Sequence, residues 1–271
     1  MRAWLVVASL LGVACGGGER PPPKPTAVIV PTAAEPDEPE RTAEGAGPTR
    51  AGPASSIEAC ARELRRALDL QVEPEERSLY DQAFAQEDRG ELSDARKSYF
   101  LLIQNHPRSR LIPLAYLAFG ELFAKDSASD PSKWDLARAS YGEVLKYPPP
   151  DNVSFAYASL RFADTRREQD PQEALGQYKK ALEATARYPS LPCSDAVRQG
   201  AEQGLLGSYV QVGQPEKAWA FLRATAGEGR ARALLSELAA RYRTAGKVAE
   251  ACAAARGAGA EGADLARSVC P

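Results

Sequence analysis

Residues 94–123 read DARKSYFLLIQNHPRSRLIPLAYLAFGELF, and this stretch decides the fold. Ala95 is followed four residues later by Tyr99, and then by Pro107. A second apolar stripe runs through Ala115, Leu117, Phe119, Gly120 and Phe123. Spacings of three and four place each set on one face of a helix, and a proline followed by polar residues closes a turn. The stretch therefore predicts the end of one helix, a turn, and the start of the next. Variants of the phrase recur down the chain, so a stack of helix pairs is expected.

The successive alanines that play the part of Ala95 are Ala137, Ala174, Ala218 and Ala251, separated by 42, 37, 44 and 33 residues. Ala95…Tyr99…Pro107, preceded by Ala83, Phe84 and Gly90, forms a first unit. Gly120 and Phe123 with Ala137…Tyr141…Pro149 form a second, whose helices are parted by an enlarged polar turn at residues 126–132. Ala163 with Ala174…Tyr178 and a displaced Pro189 form a third. Gly207 with Ala218…Leu222, opening on Gly213-Gln214-Pro215, forms a fourth. Leu235, Leu238, Ala239, Tyr242, Gly246, Ala251 and Ala255 form a fifth. Small residues let two helices approach and large ones fill the seam. The set resembles the tetratricopeptide repeat, a helix–turn–helix of about 34 residues with small-Gly, Ala, aromatic and Pro positions. The fold class implied is all-α, a tetratricopeptide-like α-solenoid of about five repeats over residues 57–271. The unequal spacing leaves another type of α-solenoid and a non-repetitive helical bundle as alternatives.

Within that family, Asn105-His106-Pro107-Arg108-Ser109 followed by Pro113, Ala115, Tyr116, Leu117, Gly120 and Glu121 is similar to a phrase of Gram-negative envelope lipoproteins, P-x-S…P-x-A-x-x-x-x-G-E. That group includes the Tol–Pal-associated cell-division coordinator, the lipoprotein subunit of the β-barrel assembly machinery and pilus-secretin pilotins. The resemblance covers roughly residues 76–190 and chooses no single member.

The N-terminus agrees with such an address. Met1 and Arg2 precede an uncharged run over residues 3–14, too short for a bilayer span and of the right length for a signal-peptide core. Leu10-Leu11-Gly12-Val13-Ala14-Cys15 resembles a lipobox, although Gly12 stands where Leu is usual. The resemblance implies acylation at Cys15, with several chains giving a stable anchor, and Gly16 in place of Asp leans toward the outer membrane. Cleavage as an ordinary signal near Ala14 is the alternative. Residues 16–56 hold nine prolines with many glycines and alanines and no apolar period. They are expected to form a disordered tether, roughly 120 Å long if extended and about 35 Å as a coil.

Residues 57–70, IEACARELRRALDL, put Ile57, Ala61, Leu64 and Leu68 on one helical face, predicting a short helix that lids the first repeat. Besides Cys15 there are Cys60, Cys193, Cys252 and Cys270. An even number in an exported chain points to disulfides. Cys252–Cys270 would staple the terminal helix at residues 263–270 back across a loose glycine-rich loop containing Gly257, Gly259 and Gly262. Cys60–Cys193 follows by elimination, joining segments that a solenoid would not bring together. Buried free thiols are the other outcome.

Enzymatic chemistry finds little support. The chain has one His and 36 acidic against 34 basic residues, with no bulk bias toward nucleic acid. No P-loop, G-x-S-x-G or HExxH occurs, so no enzyme activity, metal, cofactor or small-molecule substrate is expected. His106, the only imidazole, is read as a turn residue. What remains is a surface. In tetratricopeptide proteins the first helix of each pair lines a concave groove. Transferred by position, this gives Arg77, Tyr80, Phe84, Glu87, Leu114, Leu117, Glu121, Tyr157, Leu160, Asp164 and Arg167 as a peptide-binding groove. The apolar members could equally pack between repeats or under the 57–70 helix. The function implied is a lipid-anchored scaffold that binds a protein partner in the periplasm. A self-assembling or assembly-factor role in outer-membrane, secretin or pilus biogenesis, or an accessory that positions a peptidoglycan enzyme, stands as the alternative.

Overall fold

Helix boundaries follow the local chemistry. Pro74 opens a helix whose first turn carries Glu75 and Glu76, where the N-terminal dipole favours acids. It closes at Gly90 (φ +81°), with Gly90 N–H donating to Glu87 O and Glu91 N–H to Gln86 O. Far along the chain Gly246 (φ +75°) repeats the arrangement, Gly246 N–H to Arg243 O and Lys247 N–H to Tyr242 O. Both are Schellman turns, which need a residue that tolerates the left-handed region. Asp170 caps another helix, accepting from Glu173 N–H at 2.9 Å, with Pro171 next.

The computed structural model describes residues 57–66 and 70–271. The expected signal segment 1–15 with Cys15, and the tether 16–56, lie outside them. The described residues are all-α, with no strand: α1 (Ile57–Arg66), α2 (Pro74–Asp88), α3 (Leu92–Asn105), α4 (Ile112–Asp126), α5 (Lys133–Val144), α6 (Phe155–Arg166), α7 (Pro171–Arg187), α8 (Ser194–Val212), α9 (Ala218–Ala226), α10 (Glu228–Thr244), α11 (Val248–Gly257) and α12 (Ala263–Val269). Short 3-10 turns precede α9 and α12. No helix among the described residues is long and apolar enough to cross a membrane.

Most packing is between helices close in sequence. From α2 to α8 each helix packs on the next, α9 packs on α10 and α10 on α11, while α8 also meets α6 and α10. The seam is the one the alanine pattern predicts. Ala95, Ala137, Ala174, Ala218 and Ala251 are all completely buried, as are Tyr99, Tyr141, Tyr178, Leu222 and Ala255 four residues after each. Where tyrosine is the large partner, a facing glycine makes room. A Cβ on Gly120 would overlap the Tyr141 ring, and one on Gly204 the Tyr178 ring. Gly207, the expected seam glycine of the fourth unit, approaches only Arg241, and Gly204 on the same helix instead faces Tyr178 of the preceding pair.

Two further points, the reach of α1 and the course of residues 257–262, differ from expectation, while both expected disulfides form. Helix α1 is not confined to the first pair but also packs on α4 and α8. Both disulfides are present, Cys60–Cys193 and Cys252–Cys270, with Cα atoms 5.7 and 4.8 Å apart. The first is possible because α1 stands outside the row of pairs and runs along it. Finally, residues 257–262 are not a loose loop, since α11 reaches Gly257 and a 3-10 turn with buried Gly262 follows.

Candidate functional site

The face shared by α2, α4, α6 and α8 is where the expected groove residues fall. Its polar chemistry repeats. Tyr99 on α3 donates to Glu87 on α2 at 3.2 Å, Tyr141 on α5 to Glu121 on α4 at 2.6 Å, and Tyr178 on α7 to Asp164 on α6 at 2.8 Å. Each tyrosine comes from the second helix of a pair and reaches a carboxylate on the first. Burial, followed for Tyr178 by the Asp164 charge, holds the phenols of Tyr99, Tyr141 and Tyr178 above the ordinary tyrosine range. They are neutral donors that orient the carboxylates.

Two arginines join the three carboxylates. Arg161 on α6 donates from Nε to Glu121 at 3.2 Å and from Nη1 to Asp164 at 3.3 Å. Arg65 on α1 grips Glu87 with two guanidinium nitrogens at 2.6 and 2.9 Å, and its own side chain is 5% exposed. Burial works against the Arg65 charge, but the Glu87 hydrogen bonds and charge outweigh it, so its pKa is raised. At Asp164 burial prevails instead and raises the carboxyl, despite the Tyr178 and Arg161 contacts.

Helix α1 lies over this ladder. Ile57, Cys60, Ala61 and Leu64 form its inward stripe, with Cys60, Ala61 and Leu64 buried. Arg62, Arg65 and Arg66 stand 5.5–5.8 Å from the centre of the Phe84 ring, and Arg62 and Arg66 pair with Asp88. Tyr80 donates its hydroxyl to Arg65 O at 3.3 Å. At the other end Ile57 approaches Gly200 of α8, beside Leu160 of α6.

No protein-family model matches this chain, and no curated protein or solved structure is similar to it. The site is therefore read on its own geometry.

Of the expected groove residues, Tyr80, Leu114, Leu117, Tyr157 and Leu160 are core, at 0–2% exposure, and are not displayed to solvent. Phe84, Glu87, Glu121 and Asp164 are half-buried in or beside the ladder, and Arg77 is half-buried with a bond to Leu70 O. Arg167 alone is exposed. Sequence reasoning missed Arg65 and Arg161. A signal for Arg65 existed: it follows Ala61 by four residues and so lies at the edge of the apolar face of α1.

Two cavities remain open beside α1. One of 430 Å³ is lined by Arg62, Arg65, Glu87, Glu121, Lys125 and Arg161, and one of 510 Å³ by Ile57, Arg198, Glu202 and Arg230 among others. In the first, the basic groups already face carboxylates, leaving Lys125 as the cation without an ion pair among the described residues. No group of three metal-ligating side chains occurs among the described residues. His106 caps α3, with Nδ1 3.8 Å from Glu76 and Nε2 4.0 Å from Glu75.

Proposed function

We propose that the row of helix pairs is a tetratricopeptide-like α-solenoid, and that the chain is a non-enzymatic scaffold anchored through a lipid on Cys15. In this reading residues 16–56 are the tether, the cell envelope facing the periplasm is the location, and a protein partner is recruited on the face of α2, α4, α6 and α8. The five buried alanine seams and the twice-repeated Schellman turn support the repeat. The observation that supports binding most is that this face already accommodates a helix, α1, which packs along α2, α4 and α8. A surface shaped for one helix through a stripe of apolar contacts and terminal ion pairs is shaped for protein, not for a small substrate.

The test is photo-crosslinking in envelopes of the native organism. A photoreactive residue at Lys125, on the lip of the first cavity, should yield an adduct with an envelope protein. The same residue at Leu101, 43% exposed on α3, should not. Equal labelling at both sites, or none, overturns recruitment by this face. Cys15→Ala should also move the protein from the membrane to the soluble fraction, and unchanged partition removes the anchor.

A further inference from the structure

The contacts of α1 are those of a bound ligand more than of a repeat helix. A ten-residue helix is marginal by itself, and among its described side chains the apolar ones turned to the seat are Ile57, Cys60, Ala61 and Leu64, with Arg65 buried beside them. What fixes it to the far end of the face is a covalent bond, Cys60–Cys193, spanning 133 residues of sequence. The seat is also longer than the helix. The last turns of α1 border the 430 Å³ cavity, and its first residue borders the 510 Å³ cavity. Under the C-terminal end, Glu87 and Asp88 receive arginines.

We propose that the surface beneath α1 is the docking groove, that its ligand is an amphipathic helix of a partner protein, longer than α1 and carrying arginines near its C-terminal end, and that Cys60–Cys193 is the latch that keeps α1 in its place. This rests on the recruitment reading and names its ligand. The floor made by α4 and α8 with Leu160 beside Gly200 takes the apolar stripe, Glu87 and Asp88 take the arginines, and the extra turns fill the two cavities. The latch opens by exchange with a dithiol. One thiolate attacks Cys193 Sγ, the half-buried sulfur, forming a mixed disulfide and expelling the Cys60 thiolate, which takes up a proton. The second thiolate of the reagent then attacks its own sulfur in that mixed disulfide. Cys193 leaves as a thiol, the reagent ends as a cyclic disulfide, and two electrons have passed to the protein. Cys60 is fully buried, so attack at Cys193 is the accessible route.

The test uses the full chain and a labelled peptide of residues 55–68 carrying Cys60→Ser. Binding is followed by fluorescence anisotropy to the oxidised wild type and to Cys60→Ser/Cys193→Ser/Arg65→Ala, in which the resident helix is unlatched and weakened. The peptide should bind the unlatched chain at least tenfold more tightly, and a peptide lengthened by one helical turn at each end should bind more tightly again. Equal affinity for both proteins, or no binding, overturns the groove, and equal affinity of the two peptides overturns the longer ligand. Hydrogen exchange guards against misfolding. Unlatching should remove protection from residues 57–66 and leave α2, α4 and α8 protected, whereas loss across those helices makes α1 part of the core and ends the proposal. Because the probe is the chain's own helix, the result is separate from crosslinking. Peptide binding without an adduct at Lys125 removes recruitment and keeps the groove, and an adduct without peptide binding does the reverse.

Discussion

The two short terminal helices, α1 and α12, are each held by a disulfide, yet they are held in opposite ways. Helix α12 folds back locally. It packs on α11 and the 3-10 turn before it, its bridge closes 18 residues, and its ion pair Arg267–Asp264 stands in solvent. Its packing among the described residues is concentrated on these two neighbours. Helix α1 instead runs along the row, is bridged across 133 residues, and buries Arg65 against Glu87. The difference teaches that a terminal helix can be an end cap or an occupant of the shared face. What decides is whether its contacts are with one neighbour or with the first helices of several pairs.

The largest separation between the two is expected in the bridges themselves. Loop-closure entropy assigns about 5 kcal/mol to a bridge across some 130 residues and about 3 kcal/mol to one across some 18. Urea unfolding of Cys60→Ser/Cys193→Ser should thus show the greater loss of stability, and of Cys252→Ser/Cys270→Ser the smaller. A reversed order would break the comparison. Next come the arginines. Arg65→Ala leaves Glu87 in a half-buried site without its partner and should cost about 3 kcal/mol. Arg267→Ala, in a fully solvated pair, should cost less than about 0.5 kcal/mol by the same measurement. A similar cost at both sites would make α1 as peripheral as α12.

The smallest effect is invisible at neutral pH. Tyr209 and Tyr242, in the half near α12, are pushed up to about 12 by burial, while Tyr80 and Tyr99, under α1, are raised further. A phenol whose pKa is raised on folding contributes stability that is fully present below its unfolded value near 10 and is lost as pH rises through the folded value. Alkaline titration should therefore leave the fold intact to about pH 10, then ionise Tyr209 and Tyr242 before Tyr80 and Tyr99. Tyrosinate absorbance with Tyr209→Phe and Tyr80→Phe as references reads the order. Ionisation of Tyr80 ahead of Tyr242 would contradict the burial argument.

Much of the helical body was legible residue by residue. The five alanine seams are set by interactions spanning a few residues, so a linear reading reaches them, whereas Pro74 and Pro171 as helix starts came from the structure. The packing of Gly204 on Tyr178 of the preceding pair was not legible, because it joins two units and only the position of the Tyr178 ring singles that glycine out. The groove was half legible. Leu117, Tyr157 and Leu160 were read as groove residues with core packing as the alternative for the apolar ones, and the structure makes all three core.

By itself the sequence determined that the described chain is all-α and which small and large residues meet in each seam. Periodicity and turn chemistry are local and leave a readable trace. Tertiary structure alone decided that α1 lies along α2, α4 and α8, that Cys60 meets Cys193, and that Arg65 sits on Glu87. Those contacts join residues brought together only after the row of helices has assembled, and a pattern of threes and fours carries no record of which face will be covered, or by what.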